Sequence, residues 1–203
     1  MRLSERHPAA LGAYALAALL ALIELGVLWQ ALHPQVPPDY RAYYIDRTTT
    51  CMNQPMTGAY VLGTPIDFRK DDTKENRPCG WEGPVGDGVH ALGETARLRF
   101  AVGAAQDLTL TLEMTGVSIN GSGDQRVDVS VNGVSVGQAL VPAEQTKSFS
   151  FAVPAAAIGD TGVADIFLDF PDAVSGRATD ANTRKRSIKL VTGSLAAATA
   201  PGP

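Results

Sequence analysis

The sequence is poor in the residues on which most chemistry depends. Among 203 residues there are two cysteines and three histidines. No Cys-x-x-Cys pair, no His-Glu-x-x-His helix and no His/Cys ligand spacing occurs, so neither thiol redox chemistry nor a zinc centre is expected. The glycine-rich fingerprints of dinucleotide and phosphate binding are also missing. Basic charge is scarce, with 17 Lys and Arg against 21 Asp and Glu and a formal net charge of -4. A chain without a dense basic block cannot replace the counterions of a phosphate backbone, so no nucleic-acid partner is expected. Aromatic residues are only 6% of the chain. Helical periodicity is absent after residue 35, and no internal repeat at a fixed spacing is found.

What is present begins with an apolar run. Residues 8–32, PAALGAYALAALLALIELGVLWQAL, contain one formal charge, Glu24. About twenty apolar residues at 1.5 Å each span a hydrocarbon core. The run exceeds the apolar core of a signal peptide and is followed by no small-residue cleavage site, so an uncleaved anchor is expected. Arg2 and Arg6 before it predict a cytoplasmic segment 1–7, with the bulk of the chain on the export side of an inner membrane. Ala13, Ala17 and Ala21 form a stripe of small residues on the face that carries Glu24. Such a stripe suits close helix–helix contact, and a partner helix would shelter the carboxylate. The other reading is an alanine-rich anchor whose Glu24 reaches the outer headgroups.

Residues 33–44, HPQVPPDYRAYY, read as a proline-rich linker. A domain over 45–193 is expected beyond it, opening with an irregular segment stapled by Cys51 and Cys79. In an oxidising compartment such a pair is most simply a disulfide, and closing a loop of about 28 residues contributes about 3–4 kcal/mol. From residue 96 onward the pattern becomes regular. ARLRFAV, DLTLTLEM, QRVDVSV, VSVG, TKSFSFAVP, VADIFLDF and RSIKLVTG alternate apolar and polar residues. They predict seven strands, two of them joined at Asn132-Gly133, a strong hairpin signal. AAAIG at 155–159 reads as a turn or one helical turn. One-sided strands of this number are best buried as an all-β antiparallel sandwich, jelly-roll-like. The tail 194–203, SLAAATAPGP, is expected to be disordered.

The stretch ADIFLDFPDAVS, 164–175, raises the question of catalysis. Asp165 and Asp169 fall on one face of a strand about 13 Å apart, too far for a glycosidase pair, and share that face with Phe167, so it is not wholly polar. Asp172 follows Pro171 and suits a turn. A calcium site from Asp169, Asp172 and carbonyls is the weaker alternative, since no loop here supplies six to eight oxygens. No catalytic residue, metal or cofactor is therefore assigned. Binding is the better prospect. Trp81, in CGWEGP, could stack on a sugar while Glu82, Asp87 and Asn120 read hydroxyls, or it could pack over an open end of the sandwich. The basic stretch NTRKR, 182–186, reads as a solvated loop or an acidic-ligand patch.

Four phrases, GWEGPVGDGVHALGETARLRF, DLTLTLEM, QRVDVSVNGVSVG and IFLDFPDAVS, together resemble a known family. It is the export-side β-sandwich domain of bacterial multi-span membrane proteins of the glycosyltransferase type. The resemblance covers about residues 80–192. It implies a sandwich fold and glycan-related surroundings, and it carries over no catalytic residue. This chain departs from it in having one span and Gly176 where proline is expected. The reading that follows is a non-catalytic, membrane-anchored accessory subunit of an integral membrane partner. A tethered carbohydrate-binding module is the alternative, and a hydrolase with dispersed carboxylates the third.

Overall fold

A computed structural model describes residues 8–33, 57–119, 121–175 and 185–198. The chain divides into two units, Met1–Pro37 and Pro38–Pro203. The first holds one helix, α1 (Pro8–Leu32). Proline suits its first position, where the missing N–H would have no intrahelical partner. Ala10–Leu32, 23 residues, is long and apolar enough to cross a membrane. His33 closes the helix: its backbone N–H and its Nδ1 both lie 3.0 Å from the Trp29 carbonyl, and the two rings stack at 4.1 Å.

The second unit is a mostly antiparallel β-sandwich. One sheet contains β1 (Gly58–Ala59), β4 (Thr95–Ala101), β6 (Gln125–Val131), β7 (Val134–Val141) and β9 (Val163–Asp169). Their order is β1-β4-β9-β6-β7, and only the β1–β4 pairing is parallel. The other contains β2 (Ile66–Asp67), β3 (Val89–His90), β5 (Leu108–Gly116), β8 (Thr146–Val153) and β12 (Ile188–Ala197). Its order is β2-β12-β5-β8, with β3 also on β12. A short ribbon, β10 (Val174–Ser175) and β11 (Lys185–Arg186), stands apart from both.

The alternation of the sequence becomes the two sides of each sheet. On β9, Ala164, Ile166 and Leu168 are buried while Asp165, Phe167 and Asp169 face out. On β5, Leu108, Leu110, Leu112 and Met114 enter the same core from the opposite sheet. A strand has a side-chain period of two, so a one-residue slip would expose every one of these residues. The seven long strands lie where the alternation predicts them, and Ala155–Ile158 forms the single helical turn α2. Asn132 (φ 49) and Gly133 (φ 83) make the β6–β7 turn in the left-handed region that such hairpins demand. Asn132 does more than turn: its Nδ2 donates to Ala157 O and Val163 O at 2.8 and 2.7 Å, and its Oδ1 accepts from Asp165 N. The hairpin is thereby pinned to the start of β9.

Two expectations are corrected. Ser194–Ala197 is not a disordered tail but the end of β12, paired with Thr111, Leu110, Thr109 and Leu108 of β5. Leu195 there is 1% exposed, so one buried leucine and a full ladder hold residues whose composition reads as tail. The segment before Ala91 is also less irregular than expected. It supplies β1, β2, β3 and a 3-10 turn, Asp71–Asn76, and it sends Phe68 into the core. Phe68 packs on Gly193, where a Cβ would lie 3.0 Å from its ring. Cys79 is buried, and its expected partner Cys51 lies outside the described residues.

Candidate glycan-binding face

Trp81, Glu82 and Asp87 belong to the segment before and around β3, and each has a partner of its own. Cys79 bridges to Arg97 of β4, and Trp81 bridges to Ala91 beyond β3, so this segment stitches the two sheets together. Gly80 (φ +81) is required between them. A Cβ there would stand 2.4 Å from Ala96 Cα and from Thr95 O. The Trp81 ring packs against the core, and its Nε1 donates to Arg97 O at 2.8 Å. Of the two readings of Trp81, this is the packing one. Glu82 pairs with Arg186, and Asp87 accepts from Lys189 Nζ at 2.7 Å. The Lys189 ammonium holds the Asp87 carboxyl below the usual range. His90 lies between the two acids. Burial outweighs their charge and pushes its pKa down, so it is neutral at pH 7. The four acid and base side chains around it are thus engaged with one another. Asn120 lies outside the described residues.

The basic stretch 182–186 contributes Lys185 and Arg186 to β11. They pair with Glu94 and Glu82 respectively, which corrects the solvated-loop reading for those two residues. Asn182, Thr183 and Arg184 lie outside the described residues.

The acids of 164–175 have three different fates. Asp165 is shared by two arginines of the neighbouring strand. Arg97 Nε donates to Oδ1 at 3.1 Å with a terminal nitrogen on Oδ2, and Arg99 donates to Oδ2 at 2.9 Å. Asp172 accepts from Arg126 through its backbone N at 3.2 Å and through two guanidinium nitrogens at 2.7 Å. That fork holds its carboxyl below the ordinary range. It also corrects one expectation, since Asp172 accepts from Arg126 of β6 where the sequence predicts a cap on its own turn. Among the described residues no group of three or more His, Cys, Asp and Glu is placed to hold a metal. Asp169 stands directly opposite Asp128 of β6. Burial first, and then Asp128, push its pKa up.

These residues share the outward face of the first sheet with Phe167, which sequence reading places there only as an exception to a polar face. The register sets Arg97 and Ser130 on either side of Phe167, and Thr95 and Asp128 on either side of Asp169. Gln138 lies opposite Asp128 and donates its amide to it. The Arg97 guanidinium stands over the half-buried Phe167 ring, 5.8 Å from its centre. One aromatic ring thus has a guanidinium and a hydroxyl as its cross-strand neighbours and a carboxylate two residues along the strand on either side. Periodicity identifies the face from sequence, but the cross-strand neighbours follow from register alone.

One pattern missed by that reading is GVSVG, 133–137, which spells Gly-x-Ser-x-Gly. A nucleophile elbow needs a strand, a sharp turn and a helix. Here Ser135 lies within β7 of a hairpin, opposite Ser130, so the letters carry no such role.

No protein-family model and no curated protein matches the chain. Among solved structures, the CBM36-1 domain of a multidomain xylanase from the hindgut metagenome of Trinervitermes trinervoides is 15% identical. The match covers 68% of this chain and 98% of that one, with a TM-score of 0.41. A carbohydrate-binding module CBM36 in complex with calcium and xylotriose is 14% identical over 66% of this chain and 99% of its own, with a TM-score of 0.39. A glycoside hydrolase family 43 arabinoxylan arabinofuranohydrolase from Bacillus subtilis is 15% identical over 72% of this chain, with a TM-score of 0.41, and the match spans 29% of that enzyme. Likeness at this level extends to the all-β architecture and no further.

Proposed function

We propose that the sandwich is a non-catalytic carbohydrate-binding module tethered by the apolar helix α1. The observation that carries this reading is the outward face of the first sheet, where Phe167 has Arg97 and Ser130 as cross-strand neighbours and Asp165 and Asp169 two residues away along its own strand. A sugar ring has an apolar C–H face and a rim of hydroxyls. An aromatic surface bordered by donors and acceptors on a rigid sheet matches both. Trp81, with its indole N–H and ring turned inward, has a structural part instead. The test is retention of the full-length, detergent-solubilised protein on a panel of immobilised polysaccharides. Phe167→Ala should lower retention about tenfold with the fold intact. Unchanged retention in that variant would sink this reading.

A second reading concerns the span. Glu24 is the only formal charge in α1, and a carboxylate in lipid is costly unless it finds a partner or reaches water. In this reading the helix enters the inner membrane with its N-terminus cytoplasmic and docks on an integral membrane protein through Ala13, Ala17, Ala21 and Glu24. The sandwich then serves as that protein's accessory subunit on the export side, in the setting of glycosyltransferase-like membrane proteins. A stoichiometric multi-span protein should co-purify in mild detergent and be lost with Glu24→Leu. Its absence from both preparations would count against the subunit.

A further inference from the structure

The proposed glycan face carries three guanidiniums, and each of them already meets a carboxylate. Arg97 and Arg99 converge on Asp165, and Arg126 is forked onto Asp172. Asp128 and Asp169 add two more negative groups, directly opposite each other across β6 and β9. Resting on the glycan reading above, we propose that Asp165 is the specificity-determining residue of this face, restricting it to uncharged glycans and rejecting acidic ones.

The geometry of Arg97 supports this role. Asp165 accepts from Arg97 Nε and from one terminal nitrogen. A guanidinium has five N–H donors, so the remaining ones stay available for hydroxyls beside the Phe167 ring. Asp165 therefore removes the net attraction of Arg97 for anions while keeping it as a donor and holding it over the ring. The trio is poorly hydrated: side-chain exposures are 19% for Arg97, 11% for Arg99 and 18% for Asp165. Charges so placed interact more strongly than they would in open water, and compensation by Asp165 is correspondingly effective. A uronate arriving at Phe167 would meet arginines already engaged and, two residues along the strand, Asp169 with Asp128 across from it. Without the Asp165 charge, the same uronate would meet the Arg97 guanidinium relieved of the carboxylate that now accepts from its Nε and one terminal nitrogen.

The test uses the full-length protein in detergent micelles at low salt, with a panel of neutral hexasaccharides and a galacturonic acid hexamer. The native protein should bind its best neutral probe about tenfold or more tighter than the uronate probe. Asp165→Asn should raise affinity for the uronate hexamer about tenfold, a gain that disappears in about 0.5 M salt. Uronate binding equal to or tighter than neutral binding in the native protein would overturn the proposal, and that comparison needs no variant to fold. An unchanged uronate-to-neutral ratio in a folded Asp165→Asn would overturn it as well. Asp165→Glu, which restores the charge, should return the ratio towards native. These failures are distinct from failure of the glycan reading, in which no hexamer binds the native protein or Phe167→Ala leaves binding untouched.

Discussion

Asp128 and Asp169 are an unusual cross-strand pair, because like charges directly opposite on neighbouring strands repel. Asp169→Asn keeps the size and the outward position of the side chain while removing one charge. Cross-strand pairs are worth about 0.2–1 kcal/mol, and this one is part-exposed and screened, so a gain of about 0.5 kcal/mol at pH 7 is expected. For a chain of this size that corresponds to about 1–2 °C in midpoint. The pH dependence distinguishes the cost of the Asp169 charge, from burial and from Asp128, from a generic effect of the substitution. Asp169 has its pKa raised above the ordinary 3.8 by burial and by Asp128. The folded state therefore binds a proton more readily than the unfolded chain, and the charge destabilises the fold at every pH above the folded pKa. As pH falls through that value towards 3.8, the native carboxyl becomes neutral and the penalty fades. The advantage of Asp169→Asn should accordingly be full at pH 7 and shrink steadily towards pH 4. Near-ultraviolet circular dichroism of the full-length protein in detergent, heated at pH 4, 5.5 and 7, measures this. A variant less stable than native at pH 7, or one whose advantage does not shrink on acidification, would refute the argument. The face would then be held by a cation or hydrogen bond that Asp169 makes.

Other substitutions test the edge segment. Trp81→Phe keeps an aromatic ring against the core but loses the Nε1 bond to Arg97 O, and should cost about 1 kcal/mol by denaturant titration. Glycan retention in that variant should equal native; a marked loss would return Trp81 to the binding site. Gly80→Ala combines a positive φ with a Cβ thrust into the backbone of Thr95 and Ala96. It should cost at least about 2 kcal/mol by the same titration, and a neutral outcome would mean that the 79–81 stitch is not held as described.

The fold was legible wherever one side of a strand is apolar and the other is not. The seven long strands and the Asn132-Gly133 turn show that signal plainly, because period-two burial and left-handed turn geometry are local properties of the chain. What remained hidden depends on distant partners. β1, β2 and β3 are two residues each, too short to display alternation, and exist because β4 and β12 offer them an edge. The end of β12 was read as tail because alanine has little preference for strands. Its pairing with β5 and the burial of Leu195 outweigh that preference.

The candidate site was legible in part, and the reason lies in what a single strand can reveal. Asp165, Phe167 and Asp169 were assigned to one face from periodicity, and they share it in the structure. Whether an acid on such a face is a base, a metal ligand or half of an ion pair depends on the strand beside it, and register is not written in either strand alone. β4 brings Arg97 and Arg99 to Asp165, β6 brings Asp128 to Asp169, and Arg126 reaches Asp172. Three aspartates of similar local sequence thus become a bridged ion, a repelled one and a clamp. The same logic moved the aromatic platform. Trp81, in a glycine-rich loop, looked free to stack on a ligand, but its neighbours are Ala91 and Arg97, and they turn it inward. Phe167, an apolar interruption in a polar face, is the ring that lies between Arg97 and Ser130 on the outward side of the sheet. On the reading proposed above, an apolar residue that breaks the alternation on the solvent side of a strand points to a binding surface better than an aromatic residue in a loop does.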